Sequence, residues 1–173
     1  MFNTFYPDAY LASTYVIKFE ELYEKGYRGI IFDIDNTLVP HGAPADKRAL
    51  ELFAHLKEIG FDTCLISNNQ EPRVKPFAEA VQSKYVYDAH KPSRKNYRKA
   101  MALMGTDVEN TFFVGDQLFT DVWGAKRTGM KSILVKPIHP KEEIQIVLKR
   151  YLEKIVLHFY KKDKKNGKIK VGL

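Results

Sequence analysis

Two aspartates one residue apart, Asp33 and Asp35, end a short apolar run and are the first candidates for chemistry in this sequence. The run, residues 30–34, is rich in β-branched side chains and too short for a helix, which is typical of a strand buried in a parallel sheet. A carboxylate at the last buried position of such a strand is costly unless it is paired or bound to a metal. The pair therefore indicates a reaction centre, although the same string, continued by Asn36 and Thr37, is also typical of a plain turn.

Polar residues suited to phosphate chemistry recur after three later apolar runs. They are Ser67 with Asn68, then Lys91, then Asp116 with Asp121. Taken singly, Ser67 could be a helix cap, Lys91 a solvated charge and Asp116 a turn former. Parallel strands place their sites beyond one shared edge, so the recurrence predicts that these loops meet there.

The elements that must position these loops alternate between strands and helices. Such alternation predicts an α/β fold, a three-layer doubly wound parallel sheet with helices on both faces. Five strands are expected, at residues 30–34, 61–66, 84–87, 111–114 and 131–135.

The 173 residues, 45% of them hydrophobic, predict a single domain in four parts. Residues 1–27 are expected to be a helical lead-in and residues 28–136 the core that carries the candidates. A C-terminal helix is expected at 137–160, followed by a basic tail at 161–173. We expect the apolar stripe of that helix to pack on the sheet: Ile144, Val147, Leu148, Tyr151, Leu152, Ile155 and Phe159.

The net charge of +7 is concentrated at one end of the chain. Residues 1–140 hold 18 Lys and Arg against 17 Asp and Glu, whereas residues 141–173 hold 10 against 4. A near-neutral body with a basic end predicts an anionic partner surface, a membrane or a nucleic acid, unless the charge only serves solubility. No apolar stretch is long enough to span a bilayer, and residues 1–10 have no basic segment leading into an apolar one, which predicts a cytoplasmic location. The single cysteine, Cys64, is expected to be a buried apolar residue.

The four motifs together resemble those of the haloacid dehalogenase (HAD) superfamily of phosphatases. The first motif matches at residues 33–37, the second at Ser67, the third at Lys91, and the fourth at Gly115-Asp116 with Asp121. Within that superfamily the strings most resemble the small bacterial subfamily IIIA proteins of the YqeG type, which are related to phosphatidylglycerophosphate phosphatases. The resemblance implies that the first of the five strands is central and that Asp33 lies beside Asp116.

The resemblance also implies roles for the candidate residues. Asp33 would be the nucleophile that forms an aspartyl phosphate, and Asp35 the general acid and base. Mg²⁺ would be held by Asp33, Asp116 and the backbone carbonyl of Asp35. Asp121 could hold a metal-bound water or orient Lys91, or it could be only an N-cap or first-turn aspartate of the next helix. The residues implied in phosphate binding are Thr37, Ser67, Asn68 and Lys91, the last also offsetting transition-state charge.

Short spacings between the motifs leave no room for a cap domain. Only 29 residues separate Thr37 from Ser67, and 23 separate Ser67 from Lys91. An open site suits a phosphorylated substrate presented by something large, such as a lipid in a membrane, or a site closed by a second subunit in a homo-oligomer. The basic tail would then provide peripheral contact with an anionic membrane at its inner face.

The best substrate prediction is phosphatidylglycerophosphate. The lipid-phosphatase branch tends to carry Lys and Cys where this chain has Ile34 and Thr37, so a protein or nucleotide phosphatase is the alternative. A phosphate-accepting receiver module is a non-enzyme alternative, although it has no use for an acid/base residue such as Asp35. An interaction protein acting on RNA ranks last, because no nucleic-acid-binding module is recognisable.

Overall fold

The protein folds around one sheet of six parallel strands, seen in a computed structural model that describes residues 2–139 and 144–173. Parallel strands require crossover connections, and helices supply most of them here. The strands are β1 (Ala9–Leu11), β2 (Gly29–Phe32), β3 (Asp62–Ile66), β4 (Lys84–Val86), β5 (Thr111–Gly115) and β6 (Lys131–Val135). The helices are α1 (Phe19–Glu24), α2 (Lys47–Ile59), α3 (Glu71–Val81), α4 (Arg94–Met104), α5 (Trp123–Thr128) and α6 (Ile144–Lys165).

The strand order is β1-β6-β5-β2-β3-β4, which places β2 between β3 and β5. This arrangement confirms that the strand preceding Asp33 is central. Strand β2 also shows why the sheet is covered on both faces. Ile30 and Phe32 pack with α1, α2 and α3 on one face, whereas Ile31 packs with α4 on the other. The predicted three-layer class is therefore confirmed, and no cap domain is inserted within the described ranges.

The first strand, β1, was not predicted. Residues 1–27 were expected to be a helical lead-in, but only α1 and two short 3₁₀ turns are helical in residues 2–27. Strand β1 pairs with β6 at the sheet edge, and Asp8 fixes the start of that pairing by accepting a hydrogen bond from the Ser132 amide at 2.9 Å. Three residues are too few to show an alternating pattern, so tertiary pairing rather than local sequence decides this strand.

Helix α6 continues to Lys165, five residues beyond the predicted end, so Lys161, Lys162, Lys164 and Lys165 are helical. Part of the predicted helix, residues 140–143, lies outside the described residues. The chain after the helix folds back, and the Gly172 amide donates to the Asp8 carbonyl at 2.8 Å. The predicted tail is therefore partly helix and partly a returning segment.

The apolar stripe of α6 does not pack on the sheet as we expected. The helix instead buries Glu153, Val156 and Tyr160, and Tyr160 contacts the ring of Tyr6. Glu153 binds the Leu118 amide at 2.8 Å, and this polar anchor turns the stripe toward solvent. The stripe residues with described side chains are exposed: Val147, Leu148, Tyr151, Leu152, Ile155 and Phe159. Across the described ranges, no helix combines the length and apolar character needed to cross a membrane.

Candidate active site

The carboxyl edge of the sheet brings together four charged side chains. Asp33 follows β2, Lys91 lies in the loop after β4, and Asp116 and Asp121 follow β5. Carboxylate oxygens of the three aspartates lie within 4.8 Å of one another, and all three residues are buried. The convergence that the sequence predicted for these four residues is present in the structure.

Lys91 links two of the carboxylates. Its Nζ atom donates to Asp33 Oδ1 and to Asp121 Oδ1, each at 2.7 Å. Burial acts to lower the pKa of Lys91, but the two carboxylates outweigh burial and hold that pKa above its ordinary value. Lys91 is therefore a permanent positive charge inside the site.

The acidic cluster carries more negative charge than its buried surroundings favour. Burial raises the pKa of Asp33 well above its ordinary value, with Asp121 and Asp116 adding to the effect and Lys91 opposing it. Burial, together with Asp121, raises the pKa of Asp116 to about 6 against the opposing effect of Arg150. Closely spaced buried carboxylates of this kind are stabilised as anions by a bound cation.

Thr37 points its hydroxyl into the cluster. Thr37 Oγ1 lies 3.2 Å from Asp116 Oδ1 and 3.4 Å from Asp33 Oδ2. The turn that carries it is tight, since Asn36 has a φ of 63° and its amide donates to the Val39 carbonyl. A hydroxyl at this position can turn toward a phosphoryl oxygen without a change in the backbone.

Asp35 lies at the edge of the site, and its carboxylate is outside the acidic cluster. Its Oδ1 accepts hydrogen bonds from the Gly42 amide at 2.7 Å and from Arg73 Nη2 at 2.9 Å, and its Oδ2 accepts one from Asn69 Nδ2 at 2.8 Å. Arg73 was not among the sequence candidates, because a lone arginine in the first turns of a helix resembles any solvated charge. Asp35 is thus held toward α3 in this structure.

The loop after β3 binds the Lys91 loop rather than the acidic cluster itself. Ser67 is buried, and its Oγ accepts a hydrogen bond from the Asn69 amide at 3.0 Å. Asn68 is exposed, and its Oδ1 accepts from the Lys91 amide at 2.7 Å. These contacts shape the loops that surround Lys91.

Asp121 is fully buried in a π-helical turn, Leu118–Val122, and organises the loop after β5. Its Oδ2 accepts from the amides of Asp116 and Gln117, both at 3.1 Å, while its Oδ1 binds Lys91. Gly115 makes this possible, because a Cβ there would lie 2.5 Å from Asp121 Oδ2. Asp121 is the acidic residue in the first turn of this π-helical segment, as one alternative predicted, but its carboxylate binds Lys91 and the loop amides and does not cap α5, whose N-cap is Val122.

Two residues of α6, Arg150 and Glu153, complete the site and were missed by sequence reasoning. Arg150 donates to the Asp116 carbonyl at 2.5 Å and also pairs with the Asp116 carboxylate. Glu153 accepts from Arg150 Nη1 at 3.0 Å, and burial raises the pKa of Glu153 against the effect of Arg150. Arg150 and Glu153 are three residues apart and lie outside the apolar stripe. That spacing was only a weak indication that they form a buried pair.

A cavity of about 390 Å³ lies between α6 and the sheet, directly beside Asp116. Two cations of α6, Arg150 and Lys154, line it together with the aspartate. Its apolar wall is formed by Tyr10, Leu134, Val135, Val147, Tyr151 and Leu157.

A doubly wound parallel sheet binds its ligands at the carboxyl ends of its strands, which is where this chain holds three aspartates and a lysine. Residues 88–143 match the model of the HAD-hydrolase-like family. The chain is 37% identical over 159 residues to the Bacillus subtilis protein named Probable phosphatase YqeG, covering 91% of this chain and 92% of that one. The chain belongs to the HAD-like phosphatases.

More distant relatives agree with that family. The chain is 26% identical over 164 residues to phosphatidylglycerophosphate phosphatase 1 of Arabidopsis thaliana, covering 80% of this chain and 45% of the relative. It is 27% identical over 97 residues to the glyceraldehyde 3-phosphate phosphatase of Pyrococcus abyssi, covering 51% of this chain and 41% of the relative. A Legionella pneumophila structure assigned to HAD subfamily III A shares the fold, with a TM-score of 0.53 at 18% identity over 69% of this chain and 71% of that one.

Proposed function

We propose that this protein is a Mg²⁺-dependent phosphomonoesterase that acts through an aspartyl phosphate on Asp33. The observation that carries the proposal is the buried cluster of Asp33, Asp116 and Asp121 around the Lys91 ammonium group. A carboxylate is a competent nucleophile toward phosphorus, and a fixed cation beside it offsets the charge that develops on the phosphoryl oxygens.

The residues present fit a magnesium ion. Asp33 and Asp116 follow the neighbouring strands β2 and β5 and supply hard oxygen donors, and the Asp35 carbonyl is the third predicted donor. Bound there, Mg²⁺ would neutralise charge between the phosphate and the carboxylates. Two backbone amides hold Asp121 Oδ2 and the Lys91 ammonium holds its Oδ1, so we assign Asp121 to orienting Lys91 rather than to the ion.

In the proposed reaction, an Asp33 oxygen forms a bond to phosphorus while the bond from phosphorus to the ester oxygen breaks. Asp35 gives a proton to the leaving oxygen and then takes a proton from the water that cleaves the aspartyl phosphate, which frees Asp33 and inorganic phosphate. The Asp35 carboxylate must turn away from Arg73 to do this. Thr37, Ser67 and Asn68 would donate hydrogen bonds to the phosphoryl oxygens.

For the substrate we propose phosphatidylglycerophosphate. The similarity to a relative named for that activity and the absence of a cap over the described site support it. The alternative substrate is a protein or nucleotide phosphate, because this chain has Ile34 and Thr37 where the lipid-phosphatase branch tends to carry Lys and Cys. Contact with an anionic membrane through the basic end, homo-oligomerisation and a cytoplasmic location stay predictions.

The test is hydrolysis by the purified protein with Mg²⁺. Phosphatidylglycerophosphate in mixed micelles is compared with glyceraldehyde 3-phosphate, a phosphopeptide, a nucleoside monophosphate and p-nitrophenyl phosphate. We expect the lipid to have the highest kcat/KM and Asp33→Asn to abolish every activity, because an amide cannot attack phosphorus. Asp62→Asn is the matched control and should retain activity, because Asp62 is the first residue of β3 and lies at the end of that strand away from the site. Turnover by Asp33→Asn would remove Asp33 from the nucleophile's role.

A further inference from the structure

Helix α6 presents an apolar stripe to solvent. Leu148 and Tyr151 are 67% and 69% exposed, values far above those of a helix packed along its apolar face. Each stripe residue lies three or four positions from another member, so they share one face. The members with described side chains are Val147, Leu148, Tyr151, Leu152, Ile155 and Phe159.

Between residues 147 and 165, helix α6 is basic and carries little negative charge. Within residues 147–165 the only carboxylates are Glu153, which is buried against the site, and Asp163, which is half-buried and accepts a hydrogen bond from the Tyr6 hydroxyl at 2.9 Å. The exposed lysines of that segment are Lys149, Lys154, Lys161, Lys162, Lys164 and Lys165.

We propose that α6 binds the surface of an anionic bilayer, with the apolar stripe inserted at the level of the acyl chains and the lysines against the lipid phosphates. A helix with an apolar face and a lysine-rich polar face is suited to lie in such an interface. Pairing with a second copy of α6 is less favourable, because it would bring lysines of both copies together, and residues 147–165 offer no exposed carboxylate to pair with them.

The same geometry brings the active site to the lipid. The cavity beside Asp116 is lined by Val147 and Tyr151 of the stripe, so its apolar wall meets the proposed interface. The geometry points to a substrate with an apolar part that enters this cavity and a phosphate that reaches Asp33. This statement about the substrate rests on the proposed phosphatase function, whereas the binding of α6 to lipid does not.

The first experiment measures binding of the full chain to vesicles of phosphatidylglycerol and phosphatidylcholine by flotation. Leu152→Glu combined with Ile155→Glu places charge on the stripe without filling a buried position, and Leu103→Glu, on an exposed site of α4, is the matched control. We expect the stripe variant to bind about tenfold or more weakly, since two apolar contacts are lost, and the control to bind like the wild type. Equal binding by the stripe variant and the wild type would overturn the proposal.

The charge arm uses Lys161→Gln, Lys162→Gln and Lys165→Gln together, against Lys47→Gln, Lys57→Gln and Lys75→Gln on α2 and α3. We expect only the α6 set to weaken binding, and added salt to weaken wild-type binding as surface charges are screened. Binding to pure phosphatidylcholine vesicles as tight as to the anionic mixture would overturn the role of the lysines. A dimer in lipid-free solution that the stripe variant dissociates would overturn the membrane as occupant.

Hydrolysis distinguishes failure of this inference from failure of the proposed function. The stripe variant should hydrolyse p-nitrophenyl phosphate at the wild-type rate but lose about tenfold or more of the rate on phosphatidylglycerophosphate held in vesicles. If the wild type hydrolyses no phosphate ester yet the stripe variant loses vesicle binding, the proposed function fails and the interface stands. An unchanged rate on the vesicle substrate would overturn the link between α6 and the site.

Discussion

Arg150 binds Asp116 twice, at the backbone carbonyl and at the carboxylate, and so joins α6 to the loop after β5. The same guanidinium donates to Glu153, whose other carboxylate oxygen accepts from the Leu118 amide. The position and charge of Asp116, a predicted metal ligand, are therefore set in part by α6, a helix that is remote from it in sequence.

Arg150→Ala should destabilise the protein by about 1–3 kcal/mol, because the buried carboxyl groups of Glu153 and Asp116 would lose a charged hydrogen-bond donor. Lys149→Ala, on an exposed position of the same helix, should change stability by less than about 0.5 kcal/mol. Urea unfolding followed by circular dichroism measures both. Equal stability of the two variants would show that the Arg150 contacts contribute nothing net.

Asp121→Asn should lower kcat by roughly 10–100-fold while the protein stays folded, because Lys91 loses the carboxylate that orients it. The buried side chain also accepts two backbone amides, so circular dichroism and the unfolding midpoint are recorded for the variant. Asp62→Asn serves again as the control. A kcat equal to that of the wild type would remove Asp121 from the positioning of Lys91.

Asp35→Asn should separate the two chemical steps. The nitrophenolate group leaves without a proton, so this variant should still release about one equivalent of nitrophenol per site in a burst, followed by slow turnover when no base activates the water. A substrate with an alkyl leaving group should give no burst. Stopped-flow absorbance and a quenched phosphate assay follow the two cases, and steady turnover at the wild-type rate would refute the acid/base assignment.

Mg²⁺ should stabilise the folded protein as well as activate it. At a concentration about 100 times its Kd, an ion that binds only the folded state adds about 2.7 kcal/mol to the unfolding free energy. Asp116→Asn should lose most of this effect, and Ca²⁺ should support little activity because of its larger and looser coordination. Calorimetric unfolding with and without the ion, together with activity after dialysis against a chelator, tests the prediction. Full activity of the ion-free protein would contradict it.

Gly124→Ala should cost about 1–3 kcal/mol, because a Cβ there would lie 2.3 Å from the Tyr97 hydroxyl oxygen. That hydroxyl donates to the carbonyls of Thr120 and Asp121 and so supports the turn behind Lys91. Tyr97→Ala removes the whole ring, including Cζ and Cε2, which would lie 2.5 and 2.6 Å from that Cβ, and the double variant should be more stable than the sum of the two single effects predicts. Additive effects in a double-mutant cycle would show that the two residues are not in steric contact.

The meeting of Asp33, Lys91 and Asp116 could be predicted from the residues themselves, whereas the central position of β2 was implied only by the resemblance to the HAD superfamily. Each of these residues follows a short apolar run, and parallel strands with helical crossovers leave only one edge on which they can converge. The buried state of Cys64 was predicted for a similar reason, since it lies within such a run. In these cases local composition and sheet geometry point to the same answer.

The rest depends on tertiary contacts that carry no local signal. The sequence did not indicate that the carboxylate of Asp35 is held by Arg73, because a rotamer choice among several hydrogen-bond donors leaves no pattern. The prediction that the apolar stripe of α6 packs on the sheet was also wrong. Its apolar stripe has the helical period of a core face, but the buried pair of Arg150 and Glu153 fixes the rotation of the helix instead.

The lysines exposed along α6 also give the molecule a permanent electric dipole. Residues 1–140 are nearly neutral, so +6 of the net +7 lies in the last 33 residues. Within about a Debye length, roughly 8 Å at physiological ionic strength, the field of an anionic surface exerts a torque on such a molecule before any contact forms. The protein would therefore approach the anionic surface with α6 foremost, and a larger share of its encounters with that surface would be productive.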